Sequence, residues 1–141
     1  MIAYFDTSAF VPMLVAEPTS EVCKRLWEDA DAVATSRLLY VEACAAVAQA
    51  LRMGRLTDPE HRSAVRLLDE LWDAFEVVEA DEFTTKRAAR IARVFELRGY
   101  DAMHCASAEQ FADDDFVVAS GDRRLLEACA RLSLATADVT A

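Results

Sequence analysis

The sequence predicts an α/β fold with a largely parallel sheet, and three observations carry the prediction. Ile2 to Phe5 and Phe116 to Ala119 are apolar runs without polar alternation, as strands covered on both faces require. Between the strand-like runs lie longer segments with apolar residues at helical spacing. Residues suited to capping stand where runs and helices meet. Strands alternating with helices in this way form βα units, whose right-handed crossovers place every strand's carboxyl end along one edge.

Taken in order, Ile2 to Phe5 reads as a buried central strand ending at Asp6-Thr7-Ser8, and Thr7 or Ser8 can cap the helix that follows. Pro12 then falls near its first turn, where a missing N–H costs little. Glu17-Pro18-Thr19-Ser20 is a turn, and Ser20 to Asp29 is a helix with Val22, Cys23, Leu26 and Trp27 on one face. Ala32 to Thr35 is the second strand. Ser36 starts the longest helix, which runs to about Met53 and stops at Gly54. Thr57-Asp58-Pro59-Glu60 supplies cap residues and an early proline for a helix to about Ala74. Phe75 to Ala80 is the third strand. Asp81 caps a helix ending near Arg98-Gly99, another helix opens at Asp101, and Asp113 to Asp115 form a solvated acidic turn. After the fourth strand, Ser120-Gly121-Asp122 leads into a helix to Arg131, with a weak fifth strand at Leu134 to Thr136.

At 141 residues the chain is expected to be a single domain, residues 1–141, with room for a hydrophobic core. Three glycines and three prolines leave no long linker. No apolar run approaches a membrane span of about 20 residues, and the N-terminus lacks the basic start of a signal peptide, so a cytoplasmic protein is expected. Cys23, Cys44, Cys105 and Cys129 form no Cys-x-x-Cys pair, which argues against zinc and a disulfide framework and for buried thiols. A net charge of −10 speaks against nucleic acid, because phosphate binding runs on positive potential. That objection weakens where acids gather around a cation.

Four acids invite that reading. An N-cap accounts for Asp6, Asp101 or Asp122 taken singly. Glu42 has no such role: it interrupts an apolar helix, and burying it unpaired would cost on the order of several kcal/mol. Asp6 and Asp122 follow parallel strands and share an edge, and Glu42, about two turns into its helix, can point toward it. Topology alone does not place Asp101. Converging carboxylates repel by about 4 kcal/mol per pair at ~4 Å and an effective dielectric near 20. A divalent cation relieves this, and all-oxygen donors select Mg²⁺ or Mn²⁺. The matching chemistry is metal-assisted phosphodiester hydrolysis, with Thr7 and Ser120 in support.

Asp6-Thr7-Ser8 after the first strand, Glu42 on an alanine-rich helix, Asp101-Ala102-x-His104-x-Ala106 and Ser120-Gly121-Asp122 together resemble the PIN-domain ribonucleases, and within them the VapC-type toxins of bacterial toxin–antitoxin pairs. The resemblance spans nearly the whole chain. It implies a three-layer α/β/α sandwich with a parallel sheet of four to five strands in the order 3-2-1-4-5, and a metal-dependent endoribonuclease in which Asp6, Glu42, Asp101 and Asp122 bind Mg²⁺ or Mn²⁺ and cut RNA. It also implies a homodimer and an inhibiting antitoxin, expected along the helices between Ser36 and Ala74.

His104 is expected to be a buried histidine hydrogen-bonded to backbone, with general base or metal ligand as the sharper alternative. Lys86, Arg87, Arg90 and Arg93, with Arg98, form a basic stripe that either guides RNA phosphates or keeps the surface soluble. Two other functions compete. A phosphate-ester hydrolase with Asp6 as nucleophile wants a second acid two residues on, where Ser8 stands. A partner-binding domain without chemistry has no use for four repelling acids.

Overall fold

The computed structural model describes all of residues 1–141. Five parallel strands form one sheet in the order β3-β2-β1-β4-β5: β1 (Ile2–Phe5), β2 (Ala32–Ser36), β3 (Phe75–Val78), β4 (Phe116–Ser120) and β5 (Thr136–Asp138). The expected order holds, and β5 lies two residues later than the apolar run suggested. Central β1 pairs with β2 from Ile2↔Ala32 and with β4 from Ile2↔Phe116. Its side chains alternate between two cores, as a pleated strand dictates. Tyr4, with Val118 and Phe116, packs under α5 (Glu82–Phe95), α6 (Gly99–Glu109) and α7 (Arg123–Arg131). Ala3 and Phe5, with Val33 and Phe75, face α2 (Ser20–Asp29), α3 (Leu39–Arg52) and α4 (Asp58–Trp72). Phe5, Phe10 and Trp27 each meet Phe75 edge-on in that second core, with ring centroids 5.1 Å apart for Trp27–Phe75 and 6.4 Å for Phe5–Phe75.

Helix boundaries moved where local signals competed. The segment after Asp6 is only α1 (Thr7–Phe10), capped by Asp6 itself and continued by a 3₁₀ turn at Val11–Met13 that holds Pro12. Ser36 stays in β2, since its backbone pairs with Val78, so α3 begins at Leu39 and Glu42 lies in its first turn instead of two turns in. The longest helix is α4, opened by a reciprocal capping box between Thr57 and Glu60. Asp101 is not a cap: α6 starts at Gly99, and Asp101 sits inside its first turn.

The turn between α5 and α6 depends on Glu96, which adopts a left-handed conformation at φ 56°. That reversal buries Leu97 under α6 and leaves Arg98 exposed at the carboxyl edge. Asp113 to Asp115 are exposed, as expected of a solvated turn. Cys23, Cys105 and Cys129 are buried free thiols, and Cys44 is half-buried.

Candidate active site

Asp6 leaves the end of β1 and serves two purposes at once. Its Oδ1 caps α1 by accepting from the Ala9 amide at 3.0 Å and from the Ser8 hydroxyl at 2.7 Å. Oδ2 accepts from the Ser120 hydroxyl at 2.5 Å. Ser120 ends β4, the strand paired with β1, so the sheet register itself brings that hydroxyl to Asp6. The Ser8 oxygen accepts from the Gly121 amide at 2.7 Å, and the Ser120 oxygen from the Asp122 amide at 2.9 Å. These bonds tie the β1–α1 and β4–α7 turns together. Gly121 lies close to its neighbours there: a Cβ would stand 3.2 Å from the Thr140 methyl, which would have to give by a few tenths of an ångström. Asp6 is only 3% exposed, and burial pushes its carboxyl above the ordinary range. Hydrogen bonds from Ser120, Ser8 and the Ala9 amide pull the other way without cancelling that effect.

Glu42 reaches the same edge from the first turn of α3. Its Oε1 lies 2.8 Å from His104 Nε2, and His104 Nδ1 lies 2.8 Å from the Tyr4 hydroxyl. His104 is buried as expected, but its partners are side chains instead of backbone. Glu42 is therefore neither unpaired nor a free surface acid.

Asp101 and Asp122 share a cation from within the chain. Asp122 caps α7 through Oδ1, which accepts from the Arg124 and Leu125 amides at 3.0 and 3.2 Å. Its Oδ2 faces outward, 3.7 Å from the Arg98 guanidinium. That guanidinium also donates to Asp101 Oδ2 at 3.1 Å, while its side chain remains 82% exposed. The repulsion expected among the acids is thus partly met by Arg98 and by the hydrogen bond from His104.

All four acids line one cleft of about 370 Å³, together with Thr7, Ser8, Val11, Glu17, Arg98 and His104. A trough of about 660 Å³ adjoins it, sharing Thr7, Glu42, Arg98 and Asp101 and adding Gln49, Arg52 and Tyr100. As the side chains stand, no three carboxylate, thiol or imidazole groups come close enough to ring a single ion. Of the two expected supporting hydroxyls, Ser120 binds Asp6 directly, whereas Thr7 Oγ1 makes only a 3.4 Å contact with His104. Ser8 was not foreseen as Asp6's second hydroxyl donor, although the Asp-x-Ser spacing at a helix start is a signal for it. Glu17 joins the cleft from a turn that no motif singles out.

The basic stripe divides. Arg87 is held by Glu109 through two bonds of 2.6 and 2.7 Å, and Lys86 pairs with Glu82. Arg90 and Arg93 are exposed on α5, while Arg98 belongs to the acids. The Asp6 nucleophile alternative loses ground, since that carboxylate is buried with both oxygens engaged by donors.

The PIN domain family model matches residues 3–131 of the chain. Ribonuclease VapC45 of Mycobacterium tuberculosis is 43% identical over 124 residues, covering 88% of this chain and 86% of that protein. Among solved structures, FitAcB from Neisseria gonorrhoeae superposes with a TM-score of 0.73 at 20% identity, covering 99% of both chains. VapBC-5 of Mycobacterium tuberculosis, a member of the VapBC family of toxin–antitoxin systems, superposes with a TM-score of 0.65 at 18% identity, covering 97% of this chain and 98% of that one.

Proposed function

This chain belongs to the PIN-domain family, in the branch of the VapC ribonuclease toxins, and from that premise we propose that its acid-lined cleft is the active site of an Mg²⁺- or Mn²⁺-dependent endoribonuclease. The observation that carries the proposal is the convergence of Asp6, Glu42, Asp101 and Asp122, from four separate elements, on one cleft at the carboxyl edge of the sheet. Ligand chemistry in parallel α/β sheets gathers at that edge.

The residues fit a hard cation in kind. The four acids offer only carboxylate oxygen, and Asp101 and Asp122 already accept a positive group in Arg98. Ribonucleases of this family are generally metal-dependent. When bound, the ion supplies charge neutralisation for the scissile phosphate and acidifies a water. Ser8 and Ser120 hold Asp6 with both oxygens oriented, so its carboxylate needs no reorganisation. Arg98 is exposed and anchored only at the rim, which leaves it free to swing from the carboxylates to a substrate phosphate. Arg90 and Arg93 on α5 offer further phosphate contacts outside the cleft, and Arg87 does so only by giving up Glu109.

As a toxin, the protein is silenced by a cognate antitoxin and works as a homodimer. The antitoxin docks along α3 and α4, where Val41 and Met53 are exposed. No helix is long and apolar enough to cross a membrane.

A fluorogenic RNA cleavage assay tests the proposal. Cleavage is expected with Mn²⁺ or Mg²⁺, is lost in EDTA, and is lost in Asp101→Asn and Asp122→Asn. Undiminished cleavage in EDTA, or by both folded variants, would overturn it.

A further inference from the structure

His104 is the one buried side chain in the cleft that the chemistry above leaves without a task. It is 2% exposed, and its Nε2 is already 2.8 Å from Glu42 Oε1, so it cannot itself reach a substrate water. The hydrogen-bond role of each ring nitrogen follows from its partner. The Tyr4 hydroxyl is fully buried, and its proton needs an acceptor. Its hydrogen-bond partner is His104 Nδ1 at 2.8 Å. The buried Ser107 Oγ makes no hydrogen bond. Nδ1 therefore accepts, which leaves the ring proton on Nε2, facing an acceptor-only carboxylate. Thr7 Oγ1 contacts the same nitrogen at 3.4 Å, too long to compete with Glu42.

We infer that His104 is a positioning residue: Tyr4 holds it as the Nε2–H tautomer, and its N–H fixes Glu42 in the cleft with Oε2 free to bind. The inference rests on the reading of Glu42 as a site acid. The Glu42 carboxylate makes no other hydrogen bond, so without His104 a flexible side chain with three rotatable bonds would have to be ordered each time the site fills. The Tyr4–His104–Glu42 line also joins the centre of β1 to α6 and α3, so the sheet itself sets where Glu42 points. A hydrogen bond that orients a metal-binding carboxylate is worth roughly tenfold or more in metal affinity.

The test uses ¹⁵N NMR of the metal-free protein together with Mn²⁺ binding, followed by electron paramagnetic resonance, in wild type, His104→Phe and His104→Gln. Gln can accept from Tyr4 through its carbonyl and donate to Glu42 through its amide, whereas Phe fills the space and does neither. The spectrum is expected to show a proton on His104 Nε2 and none on Nδ1. His104→Phe is expected to weaken Mn²⁺ binding roughly tenfold and His104→Gln to restore most of it, with kcat falling in Phe more than KM rises. A proton on Nδ1 would overturn the inference, and so would a Phe variant that binds Mn²⁺ like wild type. A Gln variant as weak as Phe, both folded, would reduce His104 to packing and overturn it equally. Should Phe fail to fold, the tautomer and the Gln variant decide. Wild type that binds no Mn²⁺ overturns the metal reading of the cleft and this inference with it. Wild type that binds while both variants bind equally well overturns this inference alone.

Discussion

Replacing Asp6 with Asn should make the metal-free protein more stable while ending catalysis. Burial is the largest influence on this carboxyl and raises its pKa from an ordinary value of 3.8. The folded state therefore keeps the Asp6 proton to higher pH than the unfolded chain does. The resulting cost to stability is full above the folded pKa, shrinks as pH falls through it, and vanishes below the unfolded value. Asn carries no charge, retains an oxygen for the Ala9 amide and Ser8 hydroxyl, and turns an amide toward the Ser120 oxygen. Each pH unit by which burial lifts the carboxyl is worth about 1.4 kcal/mol, and exchanging charged for neutral hydrogen bonds returns part of it. A net gain of about 1 kcal/mol at pH 7.5, or roughly 3–4 °C in Tm, is expected for a chain of this size. Thermal melts of both proteins in EDTA between pH 4 and 7.5 check it, with the gap largest at pH 7.5 and closing toward pH 4. Mn²⁺ at one hundred times its Kd should add about 2.7 kcal/mol to wild type and much less to the variant. An Asp6→Asn protein less stable than wild type at pH 7.5, or a gap independent of pH, would refute the reasoning: the hydrogen bonds would then outweigh burial.

Arg98→Ala should leave metal-free stability within about 0.5 kcal/mol, because an exposed pair contributes little, yet it should tighten Mn²⁺ binding by removing a competing cation and raise KM for RNA. Calorimetric titration and steady-state cleavage separate those two effects. Asp122→Asn should change metal-free stability by no more than about 0.5 kcal/mol, since Asn caps α7 nearly as well, while cleavage is lost; melts beside the RNA assay check this. Glu96→Gly should raise stability by about 0.5–1 kcal/mol by removing a left-handed non-glycine residue, measurable by urea denaturation. Light scattering should report a dimer at micromolar concentration, and added antitoxin should suppress RNA cleavage.

Much of this molecule was legible before any coordinates. The parallel sheet followed from the unalternating apolar runs, because strands covered on both faces read that way, while the strand order came with the family resemblance. Asp6 and Asp122 were placed by topology alone, since both immediately follow strands that must run the same way. Boundaries were less secure where a residue satisfied two local signals. Ser36 is a plausible helix cap, but its backbone pairs with Val78, and sheet pairing won. Asp101 has the look of a cap, yet Arg98 and Gly99 already begin the helix, and its carboxylate faces the cleft.

Asp6, Asp122 and their edge were therefore set by the chain's own pattern, because period and capping chemistry act over a few residues. What holds those acids was decided only by the tertiary structure. Arg98 turns toward Asp101 and Asp122 because Glu96 reverses the chain just before it. His104 meets Glu42 across 62 residues, and Ser120 meets Asp6 across 114. Such pairs have no local signature: a hydrogen bond depends on two side chains arriving within about 3 Å, and only the packed sheet and its helices bring them there.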